Sequence, residues 1–289
     1  MDFSKPVTEI IKERKSNRTY SGKPLEKKLR EKVIVLLENH DLKSPFSDYA
    51  GKARFQLLSI PEFDPKEKRK LGTYGIIKGA QDFIVGVVEK SQYDREHFGY
   101  LLETIILALT DLGLGTCWLG GTFNKSLFSE KINCSSDEIL PAITPVGHSV
   151  QKSIREKMIR SFAKADERLP WEKLFFDGNL SVPITKAKLG IYTALLEMIQ
   201  AGPSAGNRQP WRIIKSPNKN NFHFYTTNPK DGRFLHYSKF RPLDIGIVVC
   251  HFDLTANDLD VKGDWVVKDP QIPNTENLLY KITWEEKMN

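Results

Sequence analysis

The chain has 289 residues, 40% hydrophobic and 10% aromatic, which excludes a disordered protein and makes two modules the first expectation. Its net charge is +7 and its pI near 9.1, but stretches such as LEKKLREK and FDPKEKRKLG interleave the cations with glutamates, as solvated helix faces do. No nucleic-acid recognition motif accompanies the charge, so nucleic acid is not an expected partner, whereas small phosphate-bearing molecules suit a mild positive bias.

From the start, MDFSKPVTEIIKERKS has no apolar h-region, so it does not read as a signal peptide, and a cytoplasmic protein is expected. A helical run from Val7 to Glu13 leads into Arg14-Lys15-Ser16-Asn17-Arg18. In an extended segment Arg14, Ser16 and Arg18 project to one side, and two guanidinium forks around a hydroxyl can grip a phosphate or a polarised carbonyl. Taken alone, basic residues after a helix are more commonly just exposed. An amphipathic helix carrying Leu36-Leu37-Glu38 follows, then strand candidates Phe55 to Ile60 and Phe83 to Val88. The most apolar segment, Leu101 to Leu114, carries Glu103 and Asp111; no stretch reaches the roughly 18 uninterrupted apolar residues of a membrane span, and no membrane partner is expected. Next comes Leu112-Gly113-Leu114-Gly115-Thr116-Cys117-Trp118-Leu119-Gly120-Gly121. This is a glycine-capped helix end leading to a Gly-Gly pair whose bare backbone N–H groups a flat ring system can approach; a simple C-cap is the plainer alternative.

The segment ADERLPWEKLFFDGNLSVP, near residues 165 to 180, carries Pro, Gly and mixed charge and marks a boundary between modules 1–168 and 169–289. Beyond it, Leu195-Leu196-Glu197 sits on a second amphipathic helix that runs into Ala201-Gly202-Pro203-Ser204-Ala205-Gly206-Asn207-Arg208-Gln209-Pro210-Trp211. The glycines permit positive φ, the prolines stiffen the turn, and Ser, Asn and Gln supply hydrogen bonds; a plain loop would not need Asn, Gln and Trp in this order. Strand candidates Trp211 to Lys215 and Phe222 to Thr227 follow, and Asp244 heads a second buried helix, where it reads as an N-cap. Cys117, Cys134 and Cys250 form neither a CxxC pair nor a metal-ligand spacing with the histidines. They read as buried small hydrophobes, and no metal site is expected.

The halves echo one another. Residues 97 to 118, laid over 244 to 265 at a constant offset of 147, share five residues: Gly99 with Gly246, Leu107 with Leu254, Asp111 with Asp258, Leu112 with Leu259 and Trp118 with Trp265. Each segment reads as a long, nearly all-apolar helix, and the offset suggests a tandem duplication, with chance similarity of two buried helices as the alternative. Helices mixed with short strands, without regular βαβ alternation, give an α+β class.

Together, R-x-S-x-R at Arg14 to Arg18, G-L-G-x-x-W-x-x-G at Gly113 to Gly121 and PSxxNxQPW at Pro203 to Trp211 resemble the FMN-dependent nitroreductase superfamily. Gly147-His148-Ser149, ahead of a basic helix and Arg168-Leu169-Pro170, resembles the segment closing that family's first module, so the likeness spans nearly the whole chain. Family members are usually homodimers in which one subunit gives the first two segments and its partner gives PSxxNxQPW. Here the first half has DLKSPFSDYAGKARF where PSxxNxQPW would follow, while the second half lacks the arginine pair and has KGDW for WLGG. The chain therefore resembles the subgroup with two fused, pseudo-symmetric modules, each a small mixed or antiparallel sheet packed by helices. One FMN site would be complete and one decayed, in a monomer acting as a pseudo-dimer, with further dimerisation left open.

The resemblance implies roles. Arg14 and Ser16, with neighbouring Lys15, would bind the FMN phosphate, helped by Lys164 or Arg168. Arg18 would sit near the N1–C2=O edge and favour the anionic reduced flavin. Leu119, Gly120 and Gly121 would bring backbone N–H to N5, and Pro203, Ser204, Ala205, Asn207 and Gln209 would cover the ring from the second module. Many relatives carry an acidic residue just before that glycine, where this chain has Gly120, which leaves substrate handling open. No side chain is needed as general acid or nucleophile. The implied activity is ping-pong transfer of electrons from NAD(P)H to nitroaromatic, quinone or similar small acceptors. A flavin-binding protein without turnover, for sequestering or sensing, is the alternative, and an anion- or nucleic-acid-binding protein without flavin is a further rival.

Overall fold

In the computed structural model, residues 2–39, 42–60, 70–73, 76–150, 167–228 and 235–287 are described. The chain forms two compact units, one of Met1–Lys5 with Glu13–Ala165 and the other of Pro6–Lys12 with Asp166–Asn289. Both units are α+β, each with its own five-stranded sheet packed by helices. Helix α1 (Val7–Glu13) follows the expected bounds, but its residues up to Lys12 belong with the second unit, although the sequence reading gave the whole N-terminus to the first module.

In the first unit, α2 (Lys27–Leu37) precedes the hairpin of β1 (Ala53–Ser59) and β2 (Asp82–Glu89). Helix α3 (Asp94–Asp111), β3 (Gly115–Thr116), α4 (Lys125–Lys131), β4 (Glu138–Ile139) and β5 (Ile143–Gly147) complete it. The sheet order is β1-β2-β5-β3, with β4 also on β2 and every pair antiparallel. Strand β2 is buried along nearly its whole length because both faces are covered. Alternation puts Phe83, Val85 and Val87 in a core with Leu119, Phe128 and Ile143. On the other face Gly86 is pressed by Phe55 and Phe98, and a Cβ there would lie 2.4 Å from the Phe55 ring. Only glycine lets the two rings pack across the strand.

In the second unit, β6 (Phe175–Asp177) is followed by α5 (Tyr192–Ala201), β7 (Trp211–Lys215) and β8 (Phe222–Thr227). Then come the short α6 (Leu235–Ser238), α7 (Arg241–Asp258), β9 (Gly263–Val266) and β10 (Leu278–Glu286). The sheet order is β6-β7-β8-β10-β9, and apart from the parallel edge strand β6 every pair is antiparallel. Without β6, this is the strand order of the first sheet, with the long helix again between its hairpin and the next strand. Aromatic packing fills the core: the Phe252 ring lies 5.3 to 5.6 Å from Phe222, Phe224, Trp265 and Trp284.

The two long helices, α3 and α7, have bounds exactly 147 residues apart and end alike. Gly113 has φ +76°, with the Leu114 N–H on the Leu109 carbonyl at 2.9 Å; Asp260 has φ 56°, with the Val261 N–H on the Ala256 carbonyl at 2.8 Å. Both are Schellman closures, so the glycine cap read from the sequence has an aspartate counterpart. Cys117 and Cys250 are buried as expected, whereas Cys134 is only partly so, and none of the three forms a disulfide. Among the described residues no His/Cys/Asp/Glu group could hold a metal, and no helix is long and apolar enough to cross a membrane.

Candidate functional site

In the first unit the Arg14–Arg18 segment runs alongside β3. Ser16 forms a parallel bridge with Thr116, and the Asn17 N–H donates to the Thr116 carbonyl at 2.8 Å. Thr19 bridges Lys78 in parallel, so the segment is extended as the alternation requires. From Thr116 the chain passes Trp118 to Leu119, which exchanges backbone hydrogen bonds with Ile143 at 2.9 and 3.0 Å, and so reaches half-buried Gly120 and exposed Gly121. The fold thus brings Arg14, Ser16 and the strand leading to the Gly-Gly pair together within one unit.

Arg14 is not the exposed cation of the plainer reading: it is buried, with Nε 3.6 Å from Oε1 of Glu103, itself wholly buried in α3. Glu103 Oε2 accepts from Trp118 Nε1 at 2.7 Å. The carboxylate therefore ties the arginine segment, the long helix and the Trp-Leu-Gly-Gly strand into one polar cluster. Sequence reasoning passed over Glu103, although its signal was present: a carboxylate within LLETIILAL needs a buried partner.

In the second unit the loop from Pro203 to Gln209 is held from inside. Asp244 Oδ1 accepts the Ala205 N–H at 2.9 Å, and Ser204 Oγ accepts the Gln209 N–H at 2.9 Å. Gln209 Oε1 accepts the Leu169 N–H at 2.8 Å, and its Nε2 donates to the Asn207 carbonyl at 3.2 Å. Asn207 Nδ2 donates to the Glu167 carbonyl at 3.0 Å, and Arg168 Nη2 to the Ala201 carbonyl at 3.0 Å. Gly206, Asn207 and Gln209 all take positive φ, the left-handed conformation that glycine and asparagine tolerate best. The polar order of this loop, assigned from the resemblance to covering a ring, thus also builds the loop itself. Gln209 is 3% exposed and its amide is engaged with backbone. Lys164 lies outside the described residues.

Asp244 is not an N-cap, which corrects the sequence reading: Phe240 holds that position, and Asp244 lies within α7 and caps the loop instead. Burial pushes its carboxyl up to about 8, opposed by the Ala205 N–H and by Arg241. At the position 147 residues earlier, buried His97 hydrogen-bonds Ser44 Oγ at 2.7 Å and so pins the loop after α2, and burial lowers its pKa to about 4.

The family model described as "Putative TM nitroreductase" matches residues 6–256. The chain belongs to this nitroreductase family. Its fold is also that of a "putative nitroreductase" from Thermotoga maritima, at 18% identity and a TM-score of 0.60, covering 99% of this chain and 96% of that one. A nitroreductase family protein from Clostridium difficile 630 aligns at 18% identity and a TM-score of 0.42, over 60% of this chain and 96% of its own. A nitroreductase with bound FMN from Bacteroides fragilis aligns at 16% identity and a TM-score of 0.37, over 52% and 92%. No curated protein matches the chain. The Thermotoga maritima structure matches this nitroreductase family chain nearly end to end.

Proposed function

We propose that this nitroreductase family member binds one FMN per chain and passes electrons from NAD(P)H to small acceptors such as nitroaromatics or quinones. The observation that carries the reading is the Arg14 cluster. Its guanidinium is buried yet not saturated, because Nε has no hydrogen-bond partner among the described residues and only a long approach to Glu103. A buried cation two residues before Ser16, on a segment fixed to β3, fits a phosphate ester far better than it fits solvent.

FMN, when bound, supplies the redox chemistry. Arg14 and Ser16 bind its phosphate, Glu103 orients Arg14, and Arg18 presents a fixed charge to the polar edge of the ring. Gly120 and Gly121 offer backbone N–H without a side chain in the way. The Pro203–Gln209 loop, prebuilt by Asp244, Ser204 and Gln209, presents its remaining groups without ordering entropy at the moment of binding. A single site per chain is supported by the partition of the motifs: R-x-S-x-R occurs only in the first half and PSxxNxQPW only in the second.

Visible absorbance of the purified chain, reconstituted with excess FMN and desalted, tests this directly. One FMN per chain and flavin-dependent NAD(P)H oxidation are expected. Two flavins per chain would overturn the single site, and none would overturn the reading.

A further inference from the structure

The second unit holds a small charged cavity of about 130 Å³, lined by Arg208, Arg212, Arg241, Asp244, Tyr237 and Thr227 together with two small residues of the Pro203–Trp211 segment. Only one of its residues, Ala205, belongs to the set assigned to flavin. We propose that this cavity is a binding subsite for an oxyanion of the phosphate class.

Among the described residues, three guanidiniums and one carboxylate line the cavity. Two are anchored in advance by one nitrogen each. Arg212 Nη1 donates to the carbonyls of Gln209 at 3.2 Å and Trp211 at 2.5 Å, while Arg241 Nη1 donates to the Thr227 carbonyl. Neither makes another hydrogen bond through Nε or Nη2 to the described residues, so both keep donors in hand. Arg208 lies over the Tyr237 ring, with its guanidinium carbon 5.5 Å from the centroid, which steadies the third fork. Asp244 does not neutralise the cluster: its carboxyl is deeply buried, already accepts the Ala205 N–H, and is pushed up to about 8. Arg212 and Arg241 disfavour one another's charge, since Arg241 helps to lower the Arg212 pKa and burial lowers both. Like charges held together in a partly dry cavity are relieved by an anion of more than one charge.

The cavity has room for a tetrahedral oxyanion. The anion is either free phosphate or the phosphate end of a larger molecule.

The inference does not depend on flavin, and its test uses none. The full-length chain is titrated with inorganic phosphate and, separately, with adenosine 5′-monophosphate, by isothermal titration calorimetry at low ionic strength. Saturable binding of at least one probe is expected in the parent. Arg241→Gln should weaken it about tenfold, whereas binding that is lost in Arg14→Gln and kept in Arg241→Gln would place the phosphate at Arg14 and overturn the subsite. Tighter binding of the nucleotide would identify a phosphoryl group on a larger ligand, and equal or tighter binding of phosphate the free anion; both support the subsite. No saturable binding of either probe, or equal binding in Arg241→Gln, overturns it. Should Arg241→Gln fail to fold, Arg208→Glu at the exposed rim must weaken the same binding several-fold, and unchanged binding there overturns the proposal. Loss of FMN retention in the arginine variants in parallel with phosphate binding would mean that these guanidiniums serve the flavin, and would equally overturn a separate subsite. A chain that binds phosphate but no FMN would retain the subsite and reject the functional reading above.

Discussion

Glu103→Gln isolates the charge that holds Arg14 in place. The substitution is nearly isosteric, so it opens no cavity, and the amide oxygen can still accept from Trp118 Nε1, now 2.7 Å from the carboxylate. What disappears is the negative charge 3.6 Å from Arg14 Nε. With an effective dielectric of about 20, a pair at that separation is coupled by roughly 4–5 kcal/mol. Removing one partner of a buried pair costs about 3–5 kcal/mol by leaving the other uncompensated. Some of this is recovered because Arg14 retains 9% exposure, so a loss of about 3–4 kcal/mol is expected for the first unit. At about 2–4 °C per kcal/mol, its thermal transition should fall by roughly 6–16 °C. Differential scanning calorimetry of the full chain reads this, and a double-mutant cycle with Arg14→Gln apportions it. Once Arg14 is neutral, Glu103→Gln should cost far less. A loss below about 1 kcal/mol with no coupling to Arg14→Gln would refute the buried-pair argument.

Four further outcomes follow from the same geometry. Asp260→Gly should stabilise the second unit by about 0.5–1 kcal/mol in chemical denaturation, since a positive φ suits glycine and the exposed Lys262 ion pair that is lost is worth little. His97 is neutral in the folded state with its pKa near 4, so its contribution is complete above the unfolded pKa of about 6.5 and is lost as pH falls towards 4, by roughly 3 kcal/mol in all. A pH series of denaturation midpoints should therefore be flatter in His97→Gln over that window. Asp244 behaves oppositely, because its raised pKa makes the folded state hold a proton that the unfolded state releases above about 4, so its cost grows up to pH 8. Asp244→Asn should accordingly gain stability relative to the parent as pH rises from 5 to 8, and an unchanged difference between them would contradict the burial argument. In FMN-loaded protein, Arg18→Gln should lower the flavin midpoint potential by roughly 20–65 mV, as loss of about 1–3 kcal/mol implies for a two-electron couple, while Arg14→Gln should weaken retention and leave the potential nearly unchanged. Potentiometric titration of both variants separates the two roles.

Local pattern carried the elements. The strands Trp211–Lys215 and Phe222–Thr227 and the helix Val7–Glu13 have the bounds that alternation and amphipathicity predict, and β1 and β2 differ from them by one or two residues at each end. The Schellman end at Gly113 was legible because glycine announces positive φ; the one at Asp260 was not, because aspartate there is chosen against local preference. Long-range pairing stayed hidden. Nothing in a linear reading joins Arg14 to Glu103 or Asp244 to Ala205, and the N-cap assignment of Asp244 failed because it treated a helix start without the loop folded over it. Gln209 shows a further limit: a motif resemblance says that an amide belongs at a position, but not whether it faces a ligand or the backbone of its own loop.

The offset of 147 gains physical content from what each matched position does. Residues 97 and 244 both pin the loop that follows an earlier helix, α2 or α5, by His97 on Ser44 and by Asp244 on Ala205. Trp118 and Trp265 both donate their indole N–H at 2.7 Å to a carboxylate on the long helix, Glu103 in one case and Asp253 in the other. These are scaffold tasks, and each unit needs them to close its own core. The units part at the edge strand. In the first, the N-terminal segment lies along β3 and carries Arg14 to the carboxylate; in the second, Phe175–Asp177 lies at the opposite edge, against β7. With its leading segment on that edge, the second unit has no counterpart, among the described residues, of the Arg14–Arg18 segment along β3. A single substitution such as Val182→Arg in the FFDGNLSVPITK segment should therefore fail to create a second flavin site, because the segment's course, and not one side chain, sets where a cation can stand.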